Sequence, residues 1–141
     1  MFIVDANVLL YAANKTALHH RSGRIWLDGA LSGDEPVGFA WIALLAFLRL
    51  STRPGVFPKP LAPKQAFGVV EEWMAQPVAL EVHPTVRHFA VLRGLVEEVG
   101  AAGNLTTDAH LAALAIEHGA ELVSFDRDFQ RFQGLQSQLL T

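Results

Sequence analysis

The chain has 141 residues, and its 11 Lys and Arg side chains against 14 Asp and Glu side chains give a formal net charge of -3. This acidic balance argues against a general nucleic-acid binder, because phosphate contacts usually come from an excess of Lys and Arg on one face. The absence of cysteine excludes a disulfide framework, a cysteine-ligated zinc site and a thiol nucleophile, while the length and the 51% hydrophobic content predict one globular domain, residues 1–141.

The first half of the chain alternates short apolar runs with helical patterns. Residues 2–4 are all apolar and end at Asp5, which predicts a first strand buried on both faces. Residues 5–7 interrupt this pattern. The elements predicted next are, in chain order, an amphipathic helix over residues 17–31, a strand over residues 36–40 and a largely buried helix over residues 41–50.

Proline and glycine divide the second half of the chain. Five of the residues from Thr52 to Pro63 are Pro or Gly, which predicts an exposed loop. Pro63 suits the first position of the following helix, and Pro77 stops that helix. The remaining predictions are a strand over 78–82, a helix opening at Pro84, a break over 100–104, a helix over 105–118 ended by Gly119, a strand over 121–125 and a short edge strand over 135–140.

This order of elements is typical of a three-layer α/β/α domain with a short central parallel sheet of four to five strands and right-handed crossovers. In such a sheet, binding groups lie outside the carboxyl ends of the strands, where the strand order reverses. Asp5 ends the first predicted strand and Asp126 follows the fourth. Both carboxylates should therefore project from the same edge if these two strands are neighbours.

A membrane location is not expected. The longest uncharged stretch, residues 36–48, is shorter than the roughly 20 residues of a membrane span. Residues 1–4 lead into Asp5 without the basic region or cleavage site of a secretory signal. We therefore expect a cytoplasmic protein with no membrane partner.

A third acid, Asp108, falls in the first turn of the helix predicted from residue 105. With Thr106 or Thr107 as the N-cap, an acid there has an ordinary explanation in the helix dipole. Taken singly, each Asp is also common in caps and turns. Several carboxylates crowded together, however, repel one another unless a cation neutralises them, and oxygen ligands favour Mg²⁺ or Mn²⁺ over zinc. Such metals suit phosphoryl chemistry.

Three segments carry a family resemblance: residues 2–11 (FIVDANVLLY), residues 107–113 (TDAHLAA) and residues 124–129 (SFDRDF). They are similar, in order and spacing, to the three motifs of the PIN domain. The whole chain, including the segment from Trp41 to Thr52 and the Pro-rich loop, resembles VapC-type ribonuclease toxins of bacterial type II toxin–antitoxin modules. The resemblance is essentially end to end.

The resemblance implies a metal-dependent endoribonuclease. It makes Asp5 and Asp108 the principal Mg²⁺ ligands and Asp126 the acid that completes the catalytic site, with Asp128 as a further, lower-ranked ligand. Asn7 matches the polar position that orients the first carboxylate, although a turn role explains it equally well. The resemblance also implies a homodimer and a small VapB-type antitoxin that neutralises the enzyme and through which alone operator DNA would be bound.

One position departs from the family pattern. PIN domains usually carry a Glu on the helix after the second strand, and the aligned position here is Ala46. Three interpretations follow: the site works with Asp5, Asp108, Asp126 and Asp128; a loop acid such as Glu35 reaches in; or activity is weak. We favour the first, because Mg²⁺ commonly completes its ligand shell with water and substrate phosphate.

Several polar residues are candidates for a supporting role. Arg49, Arg53 and Arg127 suit phosphate contacts, although surface arginines are usually just solvated. Ser124 lies beside the proposed metals or pairs with backbone. The six His residues show no metal-ligand spacing, so His110 is predicted to lie on a helix surface.

Two other functions are compatible with parts of this sequence. A catalytically impaired PIN-like interaction module would explain the loss of the usual Glu at Ala46. An Asp-dependent phosphatase would need an Asp where Asn7 stands and a downstream Lys, yet residues 77–141 contain no Lys.

If the four Asp residues form a metal site, removing them from the 14 acids leaves 10 acidic against 11 basic residues. This balance gives only weak attraction toward RNA.

Overall fold

The computed structural model describes residues 1–100 and 103–141, apart from the side chain of residue 104. Five parallel strands form one sheet in the order β3-β2-β1-β4-β5. The strands are β1 (Phe2–Val4), β2 (Val37–Ala40), β3 (Ala79–Val82), β4 (Glu121–Ser124) and β5 (Gln136–Leu139). The strand order reverses between β1 and β4, because β2 and β3 lie on one side of this pair and β5 on the other.

Helices cover both faces of the sheet. They are α1 (Ala6–Ala13), α2 (His20–Leu31), α3 (Trp41–Ser51), α4 (Pro63–Met74), α5 (His88–Val99) and α6 (Asn104–Glu117), followed by a 3₁₀ helix over Arg127–Arg131. One apolar cluster joins α5 and α6 to the sheet through Ile3 and Leu122, and a second joins α1–α4 to the opposite face through Val4 and Val123. The neighbouring residues of each strand thus face opposite layers. The predicted three-layer α/β/α fold is confirmed.

The first helix, α1, was not predicted from the sequence. Residues 5–7 do not form a turn: Asp5 is the N-cap of α1, and its side chain accepts a hydrogen bond from the Ala6 N–H. Val8, Leu9 and Ala12 are buried in α1, and the helix carries no charged residue. A helix that is apolar all round lacks the alternation of apolar and polar faces from which helices are recognised.

The beginning of α6 also differs from the prediction. The helix starts at Asn104 after Gly103, so neither Thr106 nor Thr107 is its N-cap. Gly103 has a φ of 73°, a left-handed conformation that glycine adopts without strain. Asp108 consequently lies in the second turn, which weakens the helix-dipole explanation for its presence. Residues 101 and 102 of the predicted break lie outside the described residues.

Smaller shifts occur at other boundaries. α2 begins at His20 instead of residue 17, and α5 begins at His88 instead of Pro84. Gly119 follows the C-cap His118 of α6 with a φ of 62°, close to its predicted place. Over the two described ranges, no helix has both the length and the apolar character that a membrane crossing requires.

Candidate metal centre

Three acidic segments meet at one edge of the sheet. β1 and β4 are parallel neighbours and stay in register to the last residue of β1, so Asp5 and the segment containing Asp126 leave the sheet at the same edge. Asp108 reaches this edge from α6. One carboxylate oxygen from each of Asp108, Asp126 and Asp128 lies within 4.8 Å of the other two. Asp5 and Asp108 line a common cavity of about 60 Å³.

A hydrogen-bond network holds Asp5 in place. The Ser124 hydroxyl donates to Asp5 Oδ2 at 2.7 Å and accepts from Asn7 Nδ2 at 3.0 Å. The same hydroxyl oxygen accepts the backbone N–H of Asp126 at 2.9 Å, and the amide oxygen of Asn7 accepts the backbone N–H of Phe125 at 3.2 Å. Ser124 is only 2% exposed. Asn7 thus orients the first carboxylate indirectly, through Ser124.

Two carboxylates at this edge have raised pKa values. Burial, and then the charges of Asp5, Asp126 and Asp128, raise the pKa of Asp108 to about 6. Burial also raises the pKa of Asp5, against the lowering effect of its hydrogen bonds from Ser124 and Ala6. Crowded negative charge in a partly dry site is the condition that a bound cation relieves.

The 3₁₀ helix after β4 brings the last two acids together. Asp126 is its N-cap, and Asp126 Oδ1 accepts the Asp128 backbone N–H at 2.8 Å. Asp128 also lies 3.5 Å from the Arg131 guanidinium, in a contact between partly exposed side chains. Asp128 ranks below Asp126 in the sequence, because it lies further from the strand end along the chain. The short helix nevertheless turns Asp128 back toward Asp108.

Ala46 faces the acidic edge, as its alignment with the usual Glu predicts. It lines the 60 Å³ cavity together with Asp5, Asp108, Ile42 and Thr107. Neither Ile42 nor Ala46 has a side-chain atom that could bind a metal.

Glu35 does not take the place of the missing acid. It precedes β2 and pairs with the amino group of Met1 at 3.2 Å, at the amino edge of the parallel sheet. The interpretation in which Glu35 reaches the site is therefore wrong.

The candidate arginines lie on two separate segments of the chain. Arg49 lies in the last turn of α3 and Arg53 in the loop that follows, while Arg127 is the first residue of the 3₁₀ helix. All three side chains are exposed. Arg127 lies between Asp126 and Asp128 in the chain, whereas Arg49 and Arg53 belong to α3 and the loop after it.

A second polar cluster lies between α5 and α6. The buried Glu117 carboxylate accepts from the Thr85 hydroxyl at 2.7 Å and pairs with His88 Nδ1 at 2.6 Å, and His88 Nε2 lies 2.9 Å from His110 Nδ1. Burial alone would raise the pKa of Glu117, but the hydrogen bonds from Thr85 and His88 lower it overall. His110, which the sequence predicts to lie on a helix surface, is partly exposed, and its ring packs against His88 of α5.

Thr107 and Ile42 line the acidic cavity but were not singled out as site residues from the sequence. Thr107 precedes Asp108 directly, and Ile42 lies one helical turn before Ala46. This spacing along α3 is the signal that could have identified Ile42.

The fold and the acidic edge agree with the comparison against known families. The profile described as the PIN domain matches residues 2–135. This chain belongs to the PIN-domain family.

Curated relatives narrow the assignment. Ribonuclease VapC37 of Mycobacterium tuberculosis is 56% identical over 136 residues, covering 96% of this chain and 94% of the relative. Ribonuclease VapC31 of the same organism is 42% identical over 136 residues, covering 96% of each chain. The chain therefore belongs to the VapC group within the PIN-domain family, and the resemblance found in its sequence is confirmed.

Solved structures share the fold. VapBC2 from Rickettsia felis, bound to a DNA fragment from its promoter, matches with a TM-score of 0.73 and 19% identity over 99% of this chain and 98% of that chain. VapC20 of Mycobacterium tuberculosis, a toxin that cleaves the sarcin–ricin loop, matches with a TM-score of 0.68 and 17% identity over 96% and 99%. At these identities, the similarity concerns the fold.

Proposed function

We propose that this protein is a divalent-metal-dependent endoribonuclease, the toxin of a toxin–antitoxin system. The observation that carries the proposal is the convergence of Asp5, Asp108, Asp126 and Asp128 at one edge of the sheet, where the strand order reverses. The ribonuclease relatives of the VapC group support the choice of RNA as substrate.

The acidic edge fits Mg²⁺ or Mn²⁺. All of its candidate ligand atoms are carboxylate oxygens, which hard divalent cations prefer. Burial, and then the negative charges of Asp5, Asp126 and Asp128, raise the pKa of Asp108, and a bound cation would lower it. Asp5, Asp108 and Asp126 would hold the metal, with Asp128 as a further ligand.

Each residue then has a distinct task. When bound, Mg²⁺ supplies the Lewis-acid chemistry that activates a water and stabilises the leaving oxygen of a phosphodiester. Ser124 orients Asp5 by donating to Oδ2, and this bond opposes the rise in the pKa of Asp5 that burial causes, while Asn7 keeps Ser124 in position. Arg127 is placed to contact the RNA backbone beside the acids, and Arg49 and Arg53 are candidates for more distant phosphates.

Replacement of the usual Glu by Ala46 is compatible with activity. Mg²⁺ rarely takes all its ligands from protein, since it keeps several waters and accepts substrate oxygens. The 60 Å³ cavity at Ala46 leaves room for such a water. We therefore propose a site that binds one metal firmly through the aspartates.

The same family membership suggests its partners. We propose a homodimer that is neutralised by a small VapB-type antitoxin and that meets operator DNA only through it. A complex of VapBC2 with promoter DNA and a VapBC from Salmonella typhimurium bound to DNA support this arrangement. Such a system acts on RNA in the cytoplasm, and we propose that location and a single PIN domain for the whole chain.

The test uses the purified full chain and total RNA, with Mg²⁺ or Mn²⁺ and with a chelator. Wild type should cleave RNA only with metal, whereas Asp5→Asn and Asp108→Asn should lose cleavage and still fold. Asp28→Asn is the matched control, because Asp28 is an exposed acid that pairs with Arg24 on α2, 3.1 Å away. Cleavage by both active-site variants at the wild-type rate would overturn the proposal.

The catalytically impaired interaction module remains the alternative, and Ala46 is the observation that favours it. A thermal-shift titration with Mn²⁺ separates the two. A rise in Tm that disappears in Asp5→Asn supports the nuclease. No rise in wild type, together with no cleavage, supports the interaction module.

A further inference from the structure

Three aromatic side chains form a cluster next to the acidic edge. The rings of His19 and Phe125 are nearly parallel, with centroids 4.9 Å apart and planes 24° apart. Tyr11 packs edge-on against Phe125, with centroids 5.1 Å apart, and lies 5.6 Å from His19. All three side chains are partly exposed. We call Tyr11, His19 and Phe125 the aromatic platform.

The platform is tied to the proposed metal ligands by hydrogen bonds. Phe125 lies between Ser124 and Asp126 in the chain, and its N–H donates to Asn7 Oδ1. Asn7 donates in turn to Ser124, whose hydroxyl donates to Asp5. A displacement of the platform would therefore disturb the network that orients the first carboxylate.

His19 is an unusual residue for its position. It is the N-cap of α2, where Ser, Thr, Asp or Asn is preferred because the side chain can accept a backbone N–H. The His19 side chain makes no capping hydrogen bond and stacks on Phe125 instead. The next residue, His20, connects α2 to α1, because its Nδ1 lies 2.8 Å from the backbone oxygen of Tyr11. His19 thus stacks on Phe125, and its side chain stays partly exposed.

We infer that the aromatic platform is a nucleobase-binding subsite, on which an unpaired RNA base next to the cleaved phosphate stacks against His19. This inference rests on the proposed ribonuclease function. Proteins recognise single-stranded RNA by stacking its bases on aromatic side chains, His included. Outside the four aspartates of the site, 10 acidic and 11 basic residues provide little net attraction for phosphates, so stacking on the platform would add affinity that the net charge does not supply.

The test measures binding of a short single-stranded RNA that carries a fluorescent purine analogue. The measurements use the Asp108→Asn background, which prevents cleavage. His19→Ala should weaken binding roughly 5- to 150-fold and reduce the quenching of the stacked base. His19→Tyr keeps a flat ring and should retain both. Phe89→Ala is the control, because Phe89 is a 77% exposed aromatic residue on α5, on the other face of the sheet.

Salt dependence distinguishes stacking from a phosphate contact. Loss of a stacked base lowers the affinity by the same factor at every salt concentration, whereas loss of a phosphate contact also reduces the salt dependence. Unchanged affinity in His19→Ala, or a reduced salt dependence, would overturn the subsite even if wild type cleaves RNA. If wild type neither cleaves nor binds RNA, the proposed function fails and the subsite fails with it.

Discussion

The Ser124 hydroxyl donates a 2.7 Å hydrogen bond to Asp5 Oδ2, although the two residues are 119 positions apart in the chain. The pairing of β1 with β4 brings them together, because Val4 pairs with Val123 and the next residue of each segment, Asp5 and Ser124, therefore lie side by side. Ser124 is buried and also accepts from Asn7 and Asp126. This one hydroxyl therefore links the first and last acidic segments of the proposed metal centre.

Replacing Ser124 by Ala should weaken metal binding. Asp5 would lose the bond that orients its carboxylate, and its pKa would rise further, because that bond lowers it. We expect the affinity for Mn²⁺ to fall by about 10- to 100-fold, as is usual for residues that orient a metal ligand. Calorimetric titration measures this, with Ser137→Ala on the exposed side of β5 as the control. Equal affinities in both variants would contradict the role assigned to Ser124.

Asp108 should make the metal-free protein less stable as pH rises. Its pKa is raised from 3.8 to about 6 in the folded state, so the folded protein holds this proton more tightly than the unfolded chain does. The free energy of unfolding therefore decreases through this group as pH rises between these two values, and the loss is complete above the folded-state pKa. Asp108→Asn removes the penalty.

We expect Asp108→Asn to raise the Tm of the metal-free protein at neutral pH and to change it little near pH 3.8. Thermal unfolding in chelator over this range provides the measurement. Asp28→Asn, at an exposed acid on α2 outside the acidic edge, is the control. A Tm difference for Asp108→Asn that stays constant with pH would contradict the electrostatic explanation.

Restoring an acid at position 46 should strengthen metal binding. In Ala46→Glu, the new carboxylate would enter the 60 Å³ cavity shared by Asp5 and Asp108. Added negative charge should lower the Tm without metal and increase the rise in Tm that Mn²⁺ produces.

Leu45→Glu provides the matched control for this substitution, because the neighbouring side chain is 59% exposed and points away from the cavity. Thermal-shift titration of both variants with Mn²⁺ is the measurement. The same metal response in Ala46→Glu and Leu45→Glu would show that position 46 does not contribute to the metal centre.

Gly38 should be intolerant of a side chain. It lies in β2 between β1 and β3, where an added Cβ would clash with Val82 Cγ2 and lie 3.2 Å from Ile3 Cγ1. Gly38→Ala should therefore reduce the free energy of unfolding by about 1–3 kcal/mol through overpacking.

Gly29→Ala in α2 is the opposite case. Apart from its chain neighbours and the backbone of its own helix, no described atom lies within 4 Å of its added Cβ. Alanine is also the better helix former, so we expect a gain of about 0.5–1 kcal/mol. Urea unfolding of both variants measures the difference. A loss of stability in Gly29→Ala as large as that in Gly38→Ala would rule out close approach as the cause.

The order of most elements, and the edge of the sheet at which the acids lie, could be predicted from the sequence. Short apolar runs separated by helical patterns reflect local periodicity, which is visible in a single chain. Asp5 and Asp126 could be placed at strand ends for the same reason. α1 escaped detection, because its residues are nearly all apolar and none is charged, so it has no polar face to reveal its period.

Which side chains contact each other could not be predicted from the sequence and depends on the tertiary structure. The bond from Ser124 to Asp5, the return of Asp128 toward Asp108 and the stacking of His19 on Phe125 all depend on strand order, register or a short turn. The exclusion of Glu35 follows from the direction of β2, since that residue lies at the opposite edge of the sheet. Contacts between residues far apart in the chain depend on strand order, register and the packing of the layers. The local residue pattern does not show which of these residues will meet.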